Sequence, residues 1–256
     1  MKQTTYKIYT FLIFIFLSLN ISANTLRIGV AANFKPAMNL IKPDFESKYN
    51  AKLVSIYASS GKLYSQIVHG APFDIFLAAD DVKTQALANQ GLILDGSRQI
   101  YIRGQLGVWS RHKAVNSIES LKLTMRQANK IAIANPKLAP YGQAASQVIE
   151  QLGLNQIVKL KLVQGENISH AYQFVKTNNA ELGFLSWSHL LADKDKLSDF
   201  IYLVPKQYYQ PINQEMIIVK TTKNSDLAWA FHQYLQSEDV QSRLVKLGYI
   251  ARQALN

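Results

Sequence analysis

Short apolar runs alternate along this chain with stretches whose apolar residues recur every three to four positions, and that alternation admits few folds. Runs of four to eight residues bounded by turn residues suit strands, whereas a stripe at i, i+3, i+4, i+7 suits a helix with one buried face. Strands are predicted at Leu26–Ala31, Leu53–Ala58, Asp74–Ala79, Ile131–Ala134, Leu160–Val163 and Glu181–Leu185. Helical stripes lie between and after them: Met38, Ile41 and Phe45; Leu63, Tyr64, Ile67 and Val68; Ile118, Leu121, Met125 and Ala128; Ala145, Val148, Ile149 and Leu152; Ile168, Ala171, Tyr172 and Val175. A further helix is expected from Asp81 to about Gln90, and two more carry Leu227, Ala230, Phe231, Tyr234 and Leu235, then Val240, Leu244 and Leu247. Pro43 falls inside the first stripe, so that helix is expected to kink or break there. The order of elements implies α/β layers with parallel strands.

Two longer extended segments, Arg98–Ser110 and Ile212–Lys220, enclose a middle block. A single large open sheet is one arrangement of such a chain. The alternative favoured here is that the chain leaves one lobe, builds a second and returns. Lobe 1 would then comprise residues 24–104 and 210–256, and lobe 2 residues 105–209. No Gly/Ser-rich linker, repeat or low-complexity tract separates the parts.

Residues 1–23 read as a secretory signal, with Lys2 and Lys7 ahead of the apolar run Phe11–Leu19 and a cleavage site expected near Ala23. That run is short of the roughly 20 residues a membrane span needs. Its removal would leave 233 of 256 residues and, with Lys2 and Lys7 gone, lower the net charge from +11 to +9. Cysteine is absent, which excludes disulfides, thiolate metal sites, a cysteine nucleophile and lipid attachment at a cysteine. A soluble periplasmic protein is expected, without membrane insertion once the signal is removed. The basic residues are scattered rather than gathered in a stripe, which with export argues against nucleic acid as partner.

Ligands of open α/β sheets sit beyond the carboxyl ends of the strands, where helix N-termini present unpaired N–H groups. Four such turns carry small or donor-bearing residues: Ala31-Ala32-Asn33, Ala58-Ser59-Ser60-Gly61, Ala139-Pro140-Tyr141-Gly142 and Glu166-Asn167-Ile168-Ser169. Each alone reads as ordinary helix capping. Two from the outer block and two from the middle block together would form a jaw for an anion. If Ser60 is a ligand group and not a cap, Ser60→Ala is expected to weaken anion binding and leave ligand-free stability nearly unchanged.

The remaining polar residues offer little chemistry. His69, His112, His170, His189 and His232 show no paired ligand spacing. Asp80 and Asp81 read as a cap on the next helix, and Tyr208-Tyr209 with Pro211 as hinge-side packing. No nucleophile elbow, phosphate loop or catalytic dyad is present, so no enzymatic activity is expected.

The four turns also carry a family resemblance. Val30-Ala31-Ala32-Asn33-Phe34, Ala58-Ser59-Ser60-Gly61-Lys62-Leu63-Tyr64, Gly70-Ala71-Pro72-Phe73-Asp74-Ile75-Phe76-Leu77-Ala78-Ala79-Asp80, Asn135-Pro136-Lys137-Leu138-Ala139-Pro140-Tyr141-Gly142 and Leu182-Gly183-Phe184 are its segments. Over essentially the whole mature chain the sequence resembles the periplasmic molybdate-binding proteins of ABC importers, in the type 2 superfamily of periplasmic binding proteins. The resemblance implies two Rossmann-like lobes joined by two extended hinge segments, and a monomer that delivers molybdate or tungstate to a membrane ABC permease, with no cofactor.

It further implies that Asn33 gives its side-chain amide and backbone N–H, with the Ala32 backbone adjacent. Ser60 would give hydroxyl and N–H, and Tyr141 and Ile168 their backbone N–H. The metal would be held through its oxygen atoms, with no direct protein ligand. Many relatives have Ser in place of Asn33. In one branch a Tyr reaches the anion from the position that Ser186 takes here, and the shorter Ser186 leaves that contact open. Glu166 must point away from a bound anion.

A shell of donors without an acceptor suits a fully deprotonated dianion. Phosphate near neutral pH keeps a proton that would face another donor, at a cost of about 1–3 kcal/mol. Sulfate or thiosulfate binding is the alternative within the same architecture. A secreted serine hydrolase is the alternative in another class, and it would need a base beside Ser60. An organic acid would call for an arginine, and none lies in the four turns.

Overall fold

The computed structural model describes residues 24–197 and 200–252, so the expected signal segment lies outside the described residues. In chain order the first elements are β1 (Asn24–Ala31), α1 (Lys35–Tyr49), β2 (Ala51–Ala58), α2 (Ser60–Val68), β3 (Ile75–Leu77), α3 (Val82–Asn89) and β4 (Gln99–Gly104). The middle block follows as β5 (Leu106–Ser110), α4 (Ile118–Gln127), β6 (Ile131–Ala134), α5 (Pro140–Gln151), α6 (Asn155–Val158), β7 (Leu162–Gly165), α7 (Ile168–Lys176), β8 (Leu182–Ser186), α8 (Trp187–Ala192) and β9 (Ile201–Leu203). The chain then finishes with β10 (Ile212–Ile218), α9 (Ser225–Gln236), α10 (Glu238–Lys246) and β11 (Ile250–Ala251).

These strands form two sheets, not one. The first is ordered β11-β4-β10-β3-β1-β2 and the second β7-β6-β8-β5-β9. Each contains a parallel trio with its first strand in the middle, β2-β1-β3 and β7-β6-β8, flanked by an antiparallel strand, β10 or β5. The expected extended segment Arg98–Ser110 is therefore two strands, β4 and β5, in different sheets and separated only by Gln105. The return crosses between β9 and β10, where the Tyr209 hydroxyl accepts the Leu106 N–H at 3.1 Å.

Packing follows the predicted stripes. Leu26, Ile28 and Val30 of β1 meet Met38, Ile41 and Phe45 of α1 and Phe231 and Leu235 of α9 in one cluster. Leu63 and Ile67 of α2 pack with Phe73, Phe76 and Leu87 on the other face of that sheet. In the second lobe Leu121 and Met125, Val148 and Ile149, and Ala171 and Val175 bury against β5, β6 and β8.

Three local expectations are corrected. Of the kink or break expected at Pro43, the break does not occur, since α1 continues through it. An interior proline costs about 3 kcal/mol, and the burial of Met38, Ile41 and Phe45 at about 1.5–3 kcal/mol each outweighs it. Val68, placed on the inner face of α2 by periodicity, is 38% exposed because the helix ends there. The strand expected at Leu160–Val163 begins at Leu162; Leu160 belongs to a 3-10 turn and stands 96% exposed.

Candidate functional site

The carboxyl ends of β1, β2, β6 and β7 lead into the four turns singled out above, and the fold turns all four toward one point. Ala31, Ala32, Asn33, Ser59, Ser60, Ala79, Ala139, Pro140, Tyr141, Asn167 and Ile168 enclose a cavity of about 10 Å³. Asn33 and Ser60 are 1% exposed, Tyr141 2% and Ile168 3%. No Asp, Glu, Lys, Arg or His is among the lining residues.

At α2 and α7 a side chain caps part of the helix start, whereas α5 and the turn at Ala32 have no side-chain cap. At α2 the capping residue is Ser59, whose hydroxyl accepts from Lys62 N at 3.4 Å. Ser60 is the first helical residue, and its Oγ accepts the buried Ala79 N–H at 2.9 Å. That bond occupies a lone pair and leaves the hydroxyl hydrogen to donate. It also corrects the expectation that Ser60→Ala would spare ligand-free stability, because the substitution strands the Ala79 N–H.

At α7, Asn167 Oδ1 accepts from Ser169 N at 3.0 Å and His170 N at 3.2 Å. The Ile168 N–H, at the first helical position, lies outside that cap. At α5, Pro140 takes the first helical position and has no N–H to satisfy, and Gly142 lets the helix start lie against β6. A Cβ on Gly142 would stand 2.2 Å from the Ala134 carbonyl oxygen.

Asn33 is held from behind. Its Nδ2 donates to Gln214 Oε1 at 2.9 Å, and its carbonyl accepts from Tyr249 OH at 3.0 Å and Ser188 Oγ at 3.3 Å. Gln214 Oε1 also accepts from Tyr101 OH at 3.2 Å, while its Nε2 donates to Tyr141 OH at 3.4 Å. Burial raises the Tyr141, Tyr101 and Tyr249 hydroxyls well above the usual phenol range, so this network stays neutral. The Tyr141 hydroxyl lies beside Gly104 and Gln214.

Ser186 lies outside the cavity lining. It is fully buried at the end of β8, with Oγ 2.5 Å from His189 Nδ1. Burial, and then the charge of Lys35, lower His189 from its ordinary 6.5 to about 4. Two further hydroxyls flank the pair: Ser188 Oγ lies 3.4 Å from Ser186 Oγ, and Ser169 Oγ 3.3 Å from His189 Nε2. Among the described residues that line the cavity with Ser60, none is a base.

The two lobes touch across the cleft. Gly61 N donates to Leu138 O at 2.9 Å, and Ser169 Oγ donates to Ala32 O at 3.3 Å. Glu166 is directed away from the cavity and toward Lys62, Nζ to Oε1 3.2 Å. Asp80, read as part of a cap, accepts from Lys83 N at 2.8 Å, whereas Asp81 occupies the cap position without a side-chain bond.

Several supports escaped the sequence reading: Ala79, Gln214, Tyr249 and Ser188 lie 19 to 216 residues from the groups they hold. The run Leu77-Ala78-Ala79, small at the end of a buried strand, was the signal available for Ala79.

Residues 26–250 match the family described as bacterial extracellular solute-binding protein. The chain is 38% identical to the molybdate-binding protein ModA of Azotobacter vinelandii over 89% of this chain and 90% of that one. It is 33% identical to ModA of Rhodobacter capsulatus over 91% of each. The solved structure of the Azotobacter vinelandii periplasmic molybdate-binding protein superposes with a TM-score of 0.84 at 30% identity, covering 89% of this chain and all of that one. A cavity walled by helix starts from two lobes is a place to hold a solute, and with these matches the chain belongs to the family of bacterial extracellular solute-binding proteins.

Proposed function

We propose that this protein captures molybdate, and tungstate with it, in the periplasm and hands it to the permease of an ABC importer. The observation that carries the reading is the convergence of Asn33, Ser60, Tyr141 and Ile168, with the Ala32 backbone, on one small cavity lined by no charged side chain. Donors without a counter-charge favour a dianion that brings no proton of its own, since a proton on the ligand would face a donor and go unpaired. Molybdate and tungstate, nearly equal in size, meet that requirement. Sulfate has the charge but shorter bonds, and would sit loosely in a shell set for the larger ion. The similarity to two molybdate-binding proteins above 30% identity supports the same choice.

In this reading lobe 1 comprises residues 24–104 and 210–256, and lobe 2 residues 105–209. They rotate about Gln105 and the Val204–Pro211 connection to open and close. The mature protein acts as a monomer, cleaved near Ala23. Ser186 supports α8 through His189 and does not touch the anion. Titration of the purified protein with molybdate, tungstate, sulfate and phosphate tests the proposal. Molybdate and tungstate are expected to bind far more tightly than the other two; sulfate or phosphate binding as tightly as molybdate would overturn it.

A further inference from the structure

An ion pair across the cleft involves the acid that stands next to the site. Glu166 immediately precedes the cap residue Asn167 and lies two positions before Ile168. A carboxylate there repels any anion in the cavity. Its Oε1 is shut off from solvent and accepts no hydrogen bond, so what compensates it is the Lys62 ammonium from the other lobe, 3.2 Å away, with Oε2 at 3.3 Å. Lys62 in turn lies two positions after Ser60, on the same turn of α2.

The link is set by the backbone around it. Ser59 caps the Lys62 N–H, and Gly61 N donates to Leu138 O of lobe 2 at 2.9 Å. A Cβ on Gly61 would come within 3.1 Å of that same carbonyl oxygen. The lobes therefore meet at Gly61 closely enough for the next side chain to reach Glu166.

We infer that Lys62 and Glu166 form a charge-compensated clasp, in which Lys62 both closes the lobes over the anion and neutralises a carboxylate beside Ile168 that would repel it. Opening separates the pair and re-exposes the Glu166 charge beside the Ile168 N–H, so the carboxylate helps expel the ligand when the lobes part. The two residues then have unequal roles. Losing Lys62 leaves an uncompensated anion next to the site, whereas losing the Glu166 charge leaves only a cation near an anionic ligand.

This inference rests on the oxyanion reading, and a double-mutant cycle read by molybdate titration tests it. Lys62→Met is expected to weaken binding by about tenfold at low salt, less at high salt as the exposed part of the field is screened. Glu166→Gln is expected to change affinity by less than about threefold and to slow dissociation, and the double variant to bind within about threefold of wild type. A mechanical clasp alone would make all three variants equally weak, and a solvated surface pair would leave all three at wild-type affinity. Either result overturns the inference. Wild-type protein that binds no molybdate would instead overturn the oxyanion reading, a distinct outcome.

Discussion

The backbone N–H of Ala79 donates to Ser60 Oγ at 2.9 Å in a position closed to solvent, and this one bond decides both the direction and the cost of the Ser60 hydroxyl. With a lone pair taken from behind, the hydroxyl acts toward the cavity as a donor. Ser60 therefore anchors the loop after β3 while its hydroxyl hydrogen remains available to donate.

Ser60→Ala is expected to lower oxyanion affinity about tenfold or more, the loss of a hydrogen bond to a charged group, and also to destabilise the ligand-free protein by about 1–3 kcal/mol through the stranded Ala79 N–H. Ser59→Ala removes only the α2 cap, at about 0.5–2 kcal/mol, with a smaller effect on affinity. Urea denaturation without ligand, beside anion titration of both variants, separates the two serines. Equal affinities would show that Ser60 is not a ligand group.

Ile168 permits a clean test of a backbone donor. It occupies the first position of α7, where proline is well tolerated, and Asn167 before it is extended at φ −142°, ψ 177°, as a residue preceding proline prefers. Ile168→Pro deletes the N–H while preserving the helix start, and is expected to weaken anion binding about tenfold or more. Ile168→Val keeps the N–H and should bind within about threefold of wild type, its stability cost about 0.5–1.5 kcal/mol. Comparable affinities for the two would remove Ile168 from the site.

Gly142→Ala is expected to be costly for a different reason. The new Cβ would lie 2.2 Å from Ala134 O and 2.7 Å from Ala134 C, backbone atoms of a central strand that cannot swing aside. The start of α5 must move off β6, carrying the Tyr141 N–H with it. Loss of about 1–3 kcal/mol in stability, as in overpacked cores, should accompany reduced affinity. Gly153→Ala, by contrast, meets no atom within 4 Å and is strained only by its φ of +67°, so it should cost stability while sparing affinity.

His189 makes stability depend on pH in a defined direction. Its folded value is about 4 against an ordinary 6.5, from burial first and Lys35 second. The unfolded chain thus binds the proton more readily, so the native state is favoured above pH 6.5 and loses that advantage as pH falls toward about 4. The full span amounts to roughly 3 kcal/mol, with His232 acting in the same direction. Unfolding free energies at pH 7 and pH 5 should therefore differ less in His189→Gln than in wild type. An unchanged slope would place the dependence elsewhere.

The sequence located most of the architecture because periodicity is local. The stripes Ile168, Ala171, Tyr172, Val175 and Leu121, Met125 mark helices whatever surrounds them, and a short apolar run ending in a small residue marks a buried strand before a turn. The failures were equally local in form and tertiary in cause. Pro43 breaks a helix in isolation, yet α1 continues through it because Met38, Ile41 and Phe45 are held by β1 and α9. Val68 fits the α2 stripe, but a stripe does not say where its helix stops covering the core.

For the site, the sequence by itself determined which residue types stand at the four strand-to-helix turns and that none of the four supplies a positive charge toward an anion. A chain of small and amide-bearing residues at those places can grip only through dipoles and hydrogen bonds. Tertiary structure alone decided which of two adjacent serines caps α2 and which accepts the Ala79 N–H, because that depends on the loop after β3 arriving beside them. It also decided that Ser186 faces His189 and not the cavity, and that Glu166 is answered by Lys62. Those outcomes turn on distances between groups far apart in the chain, and a hydrogen bond or ion pair is lost within an ångström or two of misplacement, a precision that no local pattern of residues encodes.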